Sequence, residues 1–135
     1  DYGDAHTGIA ISDPTGLLAG FTTVINAYRP DRVTEQIALL AKEHRVERLV
    51  LGHPINMDGT RGPRSEKAQA MRQLLEETTG LPVVLWDERR TTIDAHQILM
   101  SSGKNAKKRK KVVDAVAASL ILEGYLTYLK THPEG

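Results

Sequence analysis

Residues 81–92, LPVVLWDERRTT, narrow the possible folds more than any other stretch of this chain. Pro82, Val83, Val84, Leu85 and Trp86 form a short apolar run rich in β-branched residues, and Gly80 stands just before it. A run of this length, so bounded, reads as a buried strand rather than a helix. It ends abruptly in Asp87, Glu88, Arg89 and Arg90, which sets carboxylates and guanidinium groups at the mouth of a sheet. Open α/β folds bind their ligands at such an edge, so function is sought there first. Two distant acids are candidates to join it: Asp1, beside Gly3, and Asp114, lodged in an otherwise apolar helix behind a block of lysines.

The rest of the chain builds a sheet around that strand. Residues 7–12, TGIAIS, are apolar and β-branched and stop at the turn cluster Asp13-Pro14-Thr15-Gly16. They are expected to pair antiparallel with residues 17–26, where Leu18, Gly20, Thr22 and Val24 share a face. Pro30 and Asp31 open a helix with Val33, Ile37, Leu40, Ala41 and His44 on one side. Residues 48–51 read as a buried strand. Residues 52–63, GHPINMDGTRGP, read as a loop long enough to be a candidate for function, and Pro63 suits the first turn of the helix after it. Met71, Leu74 and Leu75 give that helix its apolar stripe, and Gly80 its stop. Thr91 with Asp94 resembles a capping box, opening a short helix that ends near Gly103.

A last helix is expected over residues 108–128. Its apolar residues recur on nearly every face: Val113, Val116 and Leu120 on one, Val112, Ala115, Leu122 and Leu126 on another. With a strand around Asp1, the order is three strands, then helix, strand, helix, strand, helix, helix. That order argues for one α/β domain over residues 1–135, with a mixed sheet and helices on both faces.

Charge and cysteine usage restrict the partners. Eighteen basic residues against 17 acidic ones leave a net charge of +1, so bulk charge does not announce a polyanion. Distribution does. Six of the eight residues 104–111 are basic, namely Lys104, Lys107, Lys108, Arg109, Lys110 and Lys111, and local density sets the field that a polyanion meets. The absence of cysteine excludes disulfides and zinc ribbons and suits a reducing compartment. No apolar stretch approaches a membrane span and no signal peptide opens the chain, so the cytoplasm is the expected location. The chain opens at Asp1 without a methionine, and residues completing the first strand are expected to be missing from it.

Asp114 lies one helical turn past Lys110 and Lys111 and two past Lys107, so an ion pair along the helix is its plainest explanation. A second applies if it faces Glu88 and Asp1. Two carboxylates about 4 Å apart, at an effective dielectric of about 20, repel by on the order of 4 kcal/mol. A hard divalent cation removes that penalty, and oxygen-only ligands favour magnesium or manganese over zinc. Such ions activate an attacking water and stabilise the leaving oxygen of a phosphodiester.

The lysine block beside Asp114 points to a polyanionic substrate. Taken alone it reads as a solvated helix face. If about six of its charges neutralise phosphates, log affinity for a single strand falls against log salt with a slope of about −4. Phe21, Trp86 and four tyrosines are the aromatic residues, too few for base stacking to supply much affinity. Arg89 and Arg64 are candidates to clamp phosphates bidentately. His53, His44 and His96 read as structural or solvated.

Several motifs act together here. Asp1-Tyr2-Gly3 with Gly8-Ile9-Ala10-Ile11-Ser12-Asp13, the loop Gly52-His53-Pro54-Ile55-Asn56-Met57-Asp58-Gly59-Thr60, Asp87-Glu88-Arg89 with Thr91-Thr92, and Lys110-Lys111-Val112-Val113-Asp114 resemble the YqgF-type family of Holliday-junction resolvases. The same family is described as the nuclease that trims precursor small-subunit ribosomal RNA. The motifs span nearly the whole chain in the family's order. The resemblance implies an RNase H-like fold, a five-stranded mixed sheet whose first three strands are antiparallel. It also implies a metal-dependent phosphodiesterase site of Asp1, Glu88 and Asp114 holding Mg2+ or Mn2+. Spacing leaves Asp87 open as the inward carboxylate in place of Glu88.

By the same resemblance the expected reaction is processing of the 5′ end of precursor 16S rRNA, with ribosomal particles among the partners. Lys107, Lys108, Arg109, Lys110, Lys111, Arg89 and Arg64 are then the nucleic-acid contacts. Two alternatives stand beside it: a Holliday junction resolvase, and a non-catalytic RNase H-like binding module. Monomer and homodimer are both open, and symmetric cutting of a junction requires the dimer. The chain departs from the family at Ala5 and His6, where members often carry basic residues. An actin-like ATPase begins with a similar Asp-x-Gly turn, but closing two lobes on a nucleotide needs more chain than this.

Overall fold

Strand period and helix period sort this chain into layers. The computed structural model describes residues 1–16, 18–54, 59, 62–87 and 106–132, with side chains in the last segment described from residue 115 onward. In order, the elements are β1 (His6–Ser12), β2 (Ala19–Asn26), α1 (Pro30–Glu43), β3 (Leu49–His53), α2 (Pro63–Thr79), β4 (Val83–Asp87) and α3 (Ala106–Thr131). β1 and β2 form the expected antiparallel hairpin, from His6 opposite Asn26 to Ile11 opposite Phe21, and a bulge then sets Ser12 against Ala19. β3 and β4 are parallel, from Leu49 beside Val83 to His53 beside Asp87. Parallel neighbours need a crossover, and α2 supplies it.

Alternation along the strands divides the core in two. Leu51 and Val83, with Leu49, Leu85, Ile9 and Ile25, pack against Val33 of α1 and Ala68, Met71 and Leu75 of α2. Val50, Val84 and Trp86 face the other way, onto Ile121, Tyr125, Tyr128 and Leu129 of α3. Helices therefore cover both faces of the β3–β4 pair. Pro30 and Pro63 start α1 and α2 as expected, and Gly80 ends α2 in the left-handed conformation at φ 70°, where a side chain would be strained. His53, assigned to the loop by composition, is the last residue of β3.

One expectation is revised. The last helix buries Ala118, Ile121 and Tyr125, a stripe that belongs to neither of the two faces picked out by composition. Leu120, Leu122 and Leu126 are only half-buried. A helix apolar around its circumference does not select its inward side by period alone. The rings of Tyr125 and Tyr128 meet Trp86 edge-on, with centroids 5.7 and 5.6 Å away, and Arg48 donates to the Tyr125 hydroxyl at 2.8 Å.

The expected mixed sheet is present in part. Among the described residues the strands form two pairs rather than one sheet of five. Asp1 carries no strand assignment, but its nitrogen donates to the Gly8 carbonyl at 2.8 Å and the Gly8 nitrogen returns the bond to the Asp1 carbonyl at 2.9 Å. This is one rung of an antiparallel ladder beside β1. Gly8 lies within β1, as expected of residues 7–12. The short helix expected from the Thr91–Asp94 cap lies outside the described residues. No helix among the described residues is long and apolar enough to cross a membrane.

Replacing Leu51 with Ala, at 5% exposure between two layers, is expected to cost about 2–5 kcal/mol in urea denaturation. Leu39→Ala on the solvent side of α1, 68% exposed, is expected to stay within about 0.5 kcal/mol of the unaltered chain.

Candidate functional site

β3 and β4 end side by side at His53 and Asp87, and the first turn of α2 and the turn that opens the chain contribute the nearby polar groups. The opening turn is tight. A Cβ on Gly3 would collide with the His6 carbonyl oxygen, so only glycine fits between Asp1 and β1. The rung between Asp1 and Gly8 puts these two residues on the same side of the ladder. Tyr2, one residue on, packs with the core that contains α1 and α2; Asp1 therefore takes the opposite side, the one covered by α3. Asp1 and Ile9, Leu40, Leu51, Met71 and Ile121 line a cavity of about 1270 Å³ that both β1 and β3 border.

At the end of β3, His53 is buried and its Nε2 lies 2.6 Å from the hydroxyl of Ser65. Ser65 is fully buried in the first turn of α2, where Gln69 Nε2 donates to the same oxygen at 3.3 Å. This bond ties the end of β3 to the start of α2. Asp87 is the register partner of His53, and along β4 it falls in the alternation of Val83 and Leu85, on the α2 side.

A second polar group joins the opening turn to α2. Lys67 Nζ donates to Asp4 Oδ1 at 3.0 Å across 63 residues of sequence. The hydrogen bond and charge of Lys67, with a smaller contribution from Arg64, hold the Asp4 carboxyl below the ordinary aspartate range. Burial, reinforced by the charge of Asp4, pushes the Tyr2 phenol up.

The expected site residues fall as follows. Asp1 is half-buried at the edge, as described. Arg64 is exposed on the first turn of α2. Asp114 and the cluster Lys107, Lys108, Arg109, Lys110 and Lys111 belong to α3, but their side chains are outside the described set. Glu88 and Arg89 also lie outside the described residues. No three acidic or histidine side chains come together among the described residues, and of the expected triad only Asp1 has its side chain among them. His53 makes the structural hydrogen bond expected of it, and His44 caps α1 with its ring 4.7 Å from Phe21. The sequence does not single out Ser65 or Lys67: both look like ordinary residues near a helix start, and nothing local indicates their distant partners.

The family profile described as RuvX, Holliday junction resolvase, matches residues 1–128. The chain belongs to the RuvX family. The match runs from Asp1 into the last turns of α3, so every candidate acid lies inside it. Among RuvX relatives, a protein of Halothermothrix orenii is 44% identical over 128 residues, covering 95% of this chain and 91% of its own. One from Bacillus subtilis (strain 168) is 44% identical over 131 residues, covering 96% and 95%. A third, from Clostridium kluyveri, is 41% identical over 126 residues, covering 93% and 92%. All three bear the name "Putative pre-16S rRNA nuclease".

Ser65→Ala deletes a buried bond and is expected to cost this RuvX chain about 1–3 kcal/mol in urea denaturation, with Gln69→Ala costing less because its bond is longer. In an NMR titration the Asp4 carboxyl is expected below the ordinary aspartate range and to return toward it in Lys67→Gln. Because the depressed value belongs to the folded state, the stability it contributes is present above the unfolded-state value. It is lost as pH falls through the folded one.

Proposed function

We propose that this chain is a metal-dependent endonuclease that hydrolyses phosphodiester bonds in structured nucleic acid, processing the 5′ end of precursor 16S rRNA. The names of its RuvX relatives support the substrate, and a cytoplasmic setting follows from it. The observation that carries the site is the sharing of one side of the sheet. Asp1 lies on the side of Gly8, which is the side of α3. Trp86 also faces α3, and α3 contains Asp114. Asp87 takes the opposite side with Leu85 and His53, which favours Glu88 over Asp87 as the acid that joins Asp1 and Asp114. Helical spacing sets Asp114 four, seven and eleven residues before Ala118, Ile121 and Tyr125, on the line of the buried stripe.

Asp1, Glu88 and Asp114 are all carboxylates, a donor set suited to magnesium or manganese. A divalent ion held by these residues would supply a polarised water for attack and charge stabilisation at the leaving oxygen. The chain's own part is to hold the acids at a fixed edge. The backbone rung at Gly8 positions Asp1, and Gly3 keeps the turn beside it closed. Lys107, Lys108, Arg109, Lys110 and Lys111, with Arg89 and Arg64, bind backbone phosphates and set the strand across that edge. In the same reading the fold is RNase H-like. A fifth strand carrying Asp1 runs beside β1, and the Asp1–Gly8 rung and the cavity bordered by β1 and β3 support it.

Junction cleavage is the second reading, favoured by the family's description as a Holliday junction resolvase. Both are tested by offering labelled precursor rRNA and a four-way DNA junction side by side, with magnesium, with manganese and with chelator. Metal-dependent cutting of the rRNA, brought to background by Asp114→Asn with binding retained, is the expected result. Cutting of the junction alone transfers the assignment to DNA. Undiminished cleavage by Asp114→Asn removes the proposed site.

A further inference from the structure

We propose that Arg64 and Lys67, about one helical turn apart at the start of α2, form a second phosphate-binding patch on which Asp4 lies as a displaceable stand-in for a backbone phosphate. The proposal rests on the nuclease reading above and adds to it the path of the substrate.

The Lys67–Asp4 pair is 3.0 Å long and lies in water, with the two side chains 58% and 76% exposed. An ion pair so placed is weak, and a phosphate oxygen is a fair substitute for the carboxylate. Arg64, three residues before Lys67, shares its side of α2 and has no ion-pair partner within 4 Å among the described residues. Glu66 is also exposed on this turn, but residues one or two apart on a helix do not face each other, so Arg64 and Lys67, three apart, share a side on which Asp4 is the paired acid.

The patch is also held still. Ser65, between the two cations in sequence, is fully buried against His53, so this turn of α2 cannot roll, and Arg64 and Lys67 stay exposed. On the other side of the contact, Asp4 belongs to the turn closed by Gly3, three residues from Asp1. A phosphate that replaces Asp4 on Lys67 therefore sits beside the Asp1 end of the sheet edge. α2 and α3 cover opposite faces, so a nucleic acid that touches this patch and also the basic run of α3 passes over the edge between them.

Fluorescence anisotropy with a short fluorescein-labelled single-stranded RNA tests this, using the full chain in chelator so that the RNA stays intact. Lys67→Gln and Arg64→Gln are each expected to weaken binding about two- to fivefold at low salt. Each should take about 0.7 from the slope of log affinity against log salt. Asp4→Asn is expected to act in the opposite direction, tightening binding by up to about fivefold, with the gain lost in the Asp4→Asn, Lys67→Gln double variant. Partial unfolding cannot produce that gain. If the pair only braces the turn, Asp4→Asn weakens binding or leaves it unchanged, and either result overturns the proposal. Normal binding by Arg64→Gln and Lys67→Gln also overturns it. In that case weakened binding on neutralising Lys107, Lys108, Arg109, Lys110 and Lys111 leaves the nuclease reading standing, and normal binding there removes that reading too.

Discussion

The parallel register that sets Leu49 beside Val83 and His53 beside Asp87 governs the rest of the molecule. With the register in place, alternation sends Leu51, Val83 and Leu85 to one side and Val50, Val84 and Trp86 to the other. Each side then needs its own helical cover, and α1 with α2 and α3 provide it. A slip of one residue would exchange the two sets and bring Trp86 onto the α2 side. The same register makes both strands end together, so polar groups gather at one edge because the apolar stretches have run out.

Two polar contacts at that edge differ in what they accomplish, and burial accounts for the difference. The bond between His53 and Ser65 is shielded from water, so losing it leaves a desolvated group uncompensated. It acts as a fastener between a strand and a helix. The pair between Asp4 and Lys67 is open to solvent, where the net gain of an ion pair is small. It directs charge without committing it, and such a contact can be exchanged for another anion at little cost.

Much of this architecture is legible in the sequence. The β1–β2 hairpin, α1, α2 and β4 follow from period and from punctuation by Pro30, Pro63 and Gly80, because each of these elements has one dominant pattern. The inward side of α3 does not, since an apolar residue is available at almost every azimuth. The bulge that brings Ser12 opposite Ala19 lies next to Gly20, where a Cβ would lie 3.0 Å from Asp13, and no local signal announces it. At the candidate site the sequence singles out Asp1, Glu88 and Asp114 by type and family resemblance. It does not single out Ser65 or Lys67, whose partners lie 12 and 63 residues away, because pairing across such distances is a property of the fold.

The hydrogen bond from Arg48 to the Tyr125 hydroxyl carries a consequence for α3. A cylinder greasy all the way round has several rotational settings with similar burial, and dispersion forces discriminate poorly among them. One directional bond at the foot of β3 breaks that near-degeneracy and works as a key in a lock. It chooses the setting in which the line through Tyr125, Ile121 and Ala118 meets the sheet.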